Sequence, residues 1–163
     1  MSADRFQPDE HEKLLELRKQ LEAESSDSLQ VLSDPASNPV CSIAYDESIP
    51  GIVVTWKRYA TSTQIRFIHE YVLGLLRKHG VKKILGDDSS LATIHTEDQT
   101  WIITDWMPRA IAAGLRVGAS KAPDSYFGQL SVTSVQSETP QELETRQFDD
   151  LDEARRWLRQ VET

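Results

Sequence analysis

Residues 81–90, Val-Lys-Lys-Ile-Leu-Gly-Asp-Asp-Ser-Ser, most constrain what this chain can become. The run is apolar at Ile84 and Leu85 and then turns to two carboxylates and two hydroxyls, as a buried strand ending at a polar rim does. A helical repeat enters it over residues 61–79 and another leaves over residues 97–113. A strand between two crossover helices is a central strand of a parallel sheet. Because Lys82 and Lys83 cannot both be deeply buried, burial is expected to begin near Ile84.

The flanking helices carry their own signals. Thr61 and Gln64 have capping-box spacing, Ile65, Ile68, Val72, Leu75 and Leu76 share one face, and Gly80 suits the left-handed stop. Thr96 and Gln99 offer a second box, with Glu97 and Asp98 favourable in the first turn. Trp101, Ile102, Ile103, Trp106, Met107, Ala110 and Ile111 form a wide apolar surface there. Pro108 removes one backbone bond, so a kink or restart is expected, and Gly114 closes the element.

Before this core lie three β-like runs, at residues 29–32, 40–45 and 52–59, with turn residues between the last two. They read as an antiparallel meander. After it, residues 115–120 alternate as a strand, and residues 123–135 fit helix or strand equally. Residues 143–148 suit an edge strand, and Asp149 is placed to cap a last helix with Leu151, Ala154, Leu158 and Val161 on one face. The expected fold class is α/β: a mixed sheet with an N-terminal meander, then parallel β-α-β units with right-handed crossovers. Residues 1–25 form a separate charged arm, with Leu14, Leu15, Leu17 and Leu21 as a narrow stripe, and residues 26–163 form the domain. The stripe serves either the chain's own core or a homodimer.

Composition narrows the partners. The 26 acidic against 18 basic residues give a formal charge of −8, which disfavours nucleic acid and anionic membrane. No apolar run is longer than about four residues, and the first ten lack a signal-peptide pattern, so a cytoplasmic location is expected. Cys41 is the single cysteine, which excludes an intrachain disulfide. No cofactor fingerprint is present.

Several stretches together resemble the bacterial STAS-like proteins, named for sulfate transporters and anti-sigma-factor antagonists. They are Val-Thr-Trp-Lys-Arg-Tyr, Ile-Leu-Gly-Asp-Asp, Trp-Ile-Ile-Thr-Asp-Trp-Met-Pro-Arg-Ala-Ile-Ala-Ala-Gly and Phe-Asp-Asp-Leu-Asp-Glu-Ala-Arg-Arg-Trp-Leu. The likeness spans about residues 29–158. It implies a non-enzymatic regulatory module that binds a small ligand or a protein. In the antagonists a serine after aspartate at such a strand end takes a phosphate, and Ser89 holds the matching position.

Ligands of open α/β sheets bind beyond the carboxyl ends of strands. Those ends gather Asp87, Asp88, Ser89 and Ser90 from one strand with Ser120 and Lys121 from the next, the candidate ligand- or partner-binding set. Asp and Ser after a strand are also ordinary turn formers. Two other readings stand beside the binding module. One is a divalent-metal hydrolase or phosphotransfer enzyme using Asp87, Asp88 and His95. The other is a homo-oligomerising interaction protein in which Trp101 or Trp106 is exposed beside the leading leucine stripe. His11, His69 and His79 fall on helix surfaces or ends, and the four tryptophans are most simply core. The ligand of the binding reading is a protein, or a small apolar or anionic molecule.

Overall fold

A computed structural model of the chain describes residues 8–23 and 29–163. Six strands form one sheet in chain order: β1 (Leu29–Ser33), β2 (Pro39–Asp46), β3 (Gly51–Trp56), β4 (Lys83–Asp87), β5 (Val117–Lys121) and β6 (Glu144–Phe148). The first three pair antiparallel, and β3 through β6 pair parallel. The mixed α/β sheet, meander first, is therefore as the residues imply, with β4 inside it and β6 at an edge.

The helices are α1 (Pro8–Ala23), α2 (Ser62–His79), α3 (Thr96–Trp101), α4 (Met107–Ala112), α5 (Tyr126–Ser137) and α6 (Leu151–Gln160). Successive crossovers of one hand in a sheet of sequential order put α2, α3–α4 and α5 on one face. Their apolar residues join Ile52, Val54, Trp56 and Ile84 from that face. The other face, with Leu85, Val117 and Ala119, is covered by Ala154 and Leu158 of α6. Leu17 and Leu21 of α1 are buried in the larger core, whereas Leu15 is exposed, so the described part of the arm lies on its own domain. Leu14's side chain and residues 24–28 fall outside the description.

Local chemistry accounts for most boundaries. The first capping box forms in full: Thr61 Oγ1 accepts from the Gln64 N–H at 3.2 Å and Gln64 Oε1 accepts from the Thr61 N–H at 2.9 Å. Gly80 ends α2 with φ of 63°, conformational space that glycine enters without penalty. The second box does not form. His95 is the N-cap, and the Gln99 amide donates instead to the Ile94 carbonyl at 2.7 Å. The last helix is capped by Asp150 and not by Asp149, since Asp150 Oδ1 accepts from the Asp152 N–H at 2.9 Å. Residues 123–135 resolve as helix from Tyr126, with Ser125 capping it. The irregularity expected at Pro108 lies just ahead of it, as a π turn over Ile102–Trp106 between α3 and α4.

Lys83 departs from expectation. Burial starts there and not at Ile84, because Lys83 and Leu85 share the α6 face while Ile84 is only half-buried on the other. The ammonium is accommodated by the carbonyls of Leu158 and, at 3.0 Å, Val161, where a cation also meets the negative end of the helix dipole. Replacing Lys83 with alanine leaves those carbonyls without their donor. Urea unfolding should register a loss of about 2 kcal/mol, whereas Lys82→Ala, at an exposed position, should stay within about 0.5 kcal/mol.

Candidate functional site

The strand register fixes what faces the large helical layer. Ile52 of β3 aligns with Ile84 of β4, Gly118 of β5 and Thr145 of β6; one row on, Val54 aligns with Gly86, Ser120 and Gln147. Two adjacent central strands thus carry glycine where neighbouring strands carry side chains. A Cβ built on Gly118 meets only Thr145 Cγ2, at 3.7 Å, so the space above it is open. This low floor is the base of a cavity of about 200 Å³. Ile68 and Val72 of α2, Ile102 and Trp106 of the π turn, Met107 of α4 and Val132 of α5 close its sides and roof.

Polar ties hold α2 to the π-turn layer at this height. Asp98, buried in the first turn of α3, accepts from Arg66 Nε at 2.9 Å and from Ser62 Oγ at 2.5 Å. The Arg66 guanidinium lies over the Trp101 ring, 5.2 Å from its centroid. Arg109 pairs with both carboxylate oxygens of Glu70 and with Asp105. Trp106 Nε1 donates to the His69 carbonyl at 2.6 Å. His69 itself donates from Nδ1 to the Ile65 carbonyl at 2.7 Å, and burial holds the imidazole below its ordinary pKa, so the ring is neutral. It lies on the cavity wall, edge-on to Trp106, and not on a solvated helix surface as its sequence context implies. His79 stacks on Tyr45, and His11's side chain lies outside the description.

The six candidate site residues separate into two groups. Asp88 and Ser120 line the cavity. Asp87 points elsewhere: its Oδ1 accepts from the Ser89 N–H at 3.1 Å and from Ser89 Oγ at 2.5 Å, a closed turn at the strand end. Ser89, the phosphoacceptor position implied by the resemblance, is half-buried with its hydroxyl committed to Asp87. Ser90 is exposed. Lys121 remains beside β4, its carbonyl accepting from the Asp88 N–H at 3.2 Å, but its ammonium turns out to Asp124 Oδ1 at 2.8 Å and to the Ala122 carbonyl at 3.1 Å. Alternating side-chain direction along an extended strand is the reason neighbouring Asp87 and Asp88 part company.

The two cavity residues are chemically unusual. Ser120 is buried, and its Oγ has no hydrogen-bond partner among the described residues. Asp88 has its carboxyl 3.2 Å from where a Gly86 Cβ would stand. Removal from water, with a smaller repulsion from Asp87, pushes its pKa up to about 7. His95, the third member of the metal reading, is exposed at the start of α3 and away from this pair. Among the described residues, no group of three or more acidic, histidine or cysteine side chains could hold a metal ion. Trp106 is buried and Trp101 half-buried beneath Arg66, so neither supplies the exposed aromatic face that an oligomerising surface would use. No helix among the described residues is long and apolar enough to cross a membrane.

Comparison with known proteins gives no assignment: no family model and no curated protein matches the chain.

Asp88 makes stability depend on pH. Its carboxyl ionises near 3.8 in the unfolded chain and near 7 in the folded one, so the folded state holds the proton more tightly. Its contribution is therefore fully present below about pH 4 and is lost as pH rises through about 7. Asp88→Asn should remove this dependence. The variant should gain on the parent by up to about 3 kcal/mol between pH 4 and pH 8, read from urea midpoints at each pH.

Proposed function

We propose that this chain is a non-enzymatic binding module of STAS-like type that takes a small, mostly apolar molecule into the cavity over β4 and β5. The observation that carries the reading is the cavity's lining: mostly aliphatic and aromatic walls that also carry the Asp88 carboxyl and Ser120, to whose polar atoms no described residue hydrogen-bonds. Binding sites for small molecules have this makeup, a few placed polar groups in an apolar enclosure. The cavity is partly open to solvent, so a small molecule can enter it without unfolding the layer above.

Size sets the class of occupant. An engineered cavity of about 150 Å³ admits benzene, so this one suits a single ring with a short substituent. The meander followed by parallel β-α-β units supports the STAS-like part of the reading, with the sheet's helical face as the binding side. The carboxylate-metal alternative loses its donor set, because Asp87 closes a turn and His95 stands apart.

The test uses Gly118→Val, whose side chain enters the cavity from an open position without a backbone clash. Phenethyl alcohol, a neutral probe of matching size, should raise the melting temperature of the parent and shift the amide resonances of Gly86, Gly118 and Ser120. The valine variant should fold with equal or greater stability and show neither response to the probe. An unresponsive parent, or a variant that binds the probe as well as the parent does, overturns the reading.

A further inference from the structure

We infer that the cavity selects a cation: its ligand is an apolar primary amine whose ammonium group sits between the Asp88 carboxyl and the Ser120 hydroxyl. This deepens the binding reading above and rests on it.

Asp88 reaches the cavity wall, and no described residue donates to its carboxyl; removal from water and the neighbouring Asp87 charge act on it. The basic side chain nearest in the strand register, Lys121, is held outward by Asp124 and the Ala122 carbonyl. His69 lies on the same wall but is neutral, its Nδ1–H committed to Ile65. A half-buried acid therefore stands on a mostly apolar wall, and no described residue supplies a counter-charge there. An isolated charge there is costly, so the acid holds its proton until a cation arrives to pair with the carboxylate.

Ser120 is the second, independent sign. The residue is only 8% exposed, and its Oγ has no partner among the described residues. The position of a Gly86 Cβ lies 3.2 Å from Asp88 Oδ1 and 3.6 Å from Ser120 Cβ, so both groups flank the same bare patch of strand. A small head group over that patch meets the Asp88 carboxyl directly, and it meets the Ser120 hydroxyl once the buried Oγ turns about the Cα–Cβ bond toward the cavity. An ammonium does so with separate N–H donors, one charge-assisted to the carboxylate and one to the hydroxyl oxygen.

Charge separates this occupant from the others of similar shape. A ligand carboxylate would add a third negative group beside Asp87 and Asp88, and like charges at short range disfavour one another. A neutral hydroxyl can satisfy Asp88 once but leaves its charge uncompensated. The aliphatic and aromatic remainder of the wall, with Ile68, Val72 and Trp106, accepts the apolar body in all three cases.

Phenethylamine, phenethyl alcohol and phenylacetate, near-isosteric and differing in head-group charge, make the test. Titrated at neutral pH against the full chain by calorimetry, the amine should bind roughly tenfold or more tightly than the alcohol, the size of one charge-assisted hydrogen bond, with phenylacetate weakest. Asp88→Asn should bring amine and alcohol to within about threefold of each other by weakening the amine alone, and Ser120→Ala should weaken the amine several-fold. Circular dichroism and melting curves show whether each variant is folded, and the ranking of the three probes on the parent stands without any variant. Binding of the alcohol or of phenylacetate as tightly as the amine overturns the cation inference and leaves the cavity reading standing. Absence of binding by all three overturns the cavity reading itself.

Discussion

Everything at the candidate site depends on how far α2 and the π-turn layer stand above two glycines. Gly86 and Gly118 give the sheet a floor without side chains, and packing alone would draw the helices down onto it. The helices are instead tied to one another. Asp98 is buried and doubly bonded to Arg66 and Ser62 across the α2–α3 contact, while Arg109 grips Glu70 with a two-pronged contact across the α2–α4 contact. Breaking a buried pair of the Asp98 kind costs several kcal/mol because the remaining charge is stranded. Such ties fix the lateral spacing of the layer, and Trp106 bonding to the His69 carbonyl sets the π turn against α2.

The opposite face of β4 solves a different problem. There the strand carries Lys83 and Leu85, and α6 lies directly on them. A lysine is tolerated in that layer because its stem is apolar and its head reaches carbonyls at the end of α6. One strand therefore serves two layers with opposite requirements: close contact beneath and clearance above. The alternation of residues 83–88 encodes both, with Lys83, Leu85 and Asp87 on one side and Ile84, Gly86 and Asp88 on the other.

Much of the architecture was legible in the residues, and the reasons are local. The capping box at Thr61, the stop at Gly80 and the buried run through Leu85 act within one element, so short-range chemistry suffices to place them. Asp149 and Asp150 offered equal side chains to one helix end, and it is Asp150, in extended backbone, whose carboxylate accepts from the first turn. Thr96 and Gln99 had the spacing of a box, yet the Ile94 carbonyl just ahead of the helix captured the glutamine. Asp88 and Ser120 were singled out as candidates, but as part of one cluster with Asp87 and Lys121. Their separation follows from side-chain direction. The cavity itself was not legible, because it depends on Gly86 meeting Ser120 and Gly118 meeting Thr145 across strands far apart in sequence. A glycine on the inward row of each of two strands is the signal that was available. His69 was missed for the related reason that its neighbours, Trp101 and Trp106, come from another element.

The sequential order of the sheet has a consequence for synthesis. Thr145 of β6 and Leu143 just before it are among the residues that close the cavity. In a chain made from its N-terminus, the apolar underside of α2 and the π-turn layer is in place before that final wall exists. Until the last strand leaves the ribosome, the nascent protein has an incomplete hollow open along one flank. That interval is when misassociation with other emerging chains is most favoured.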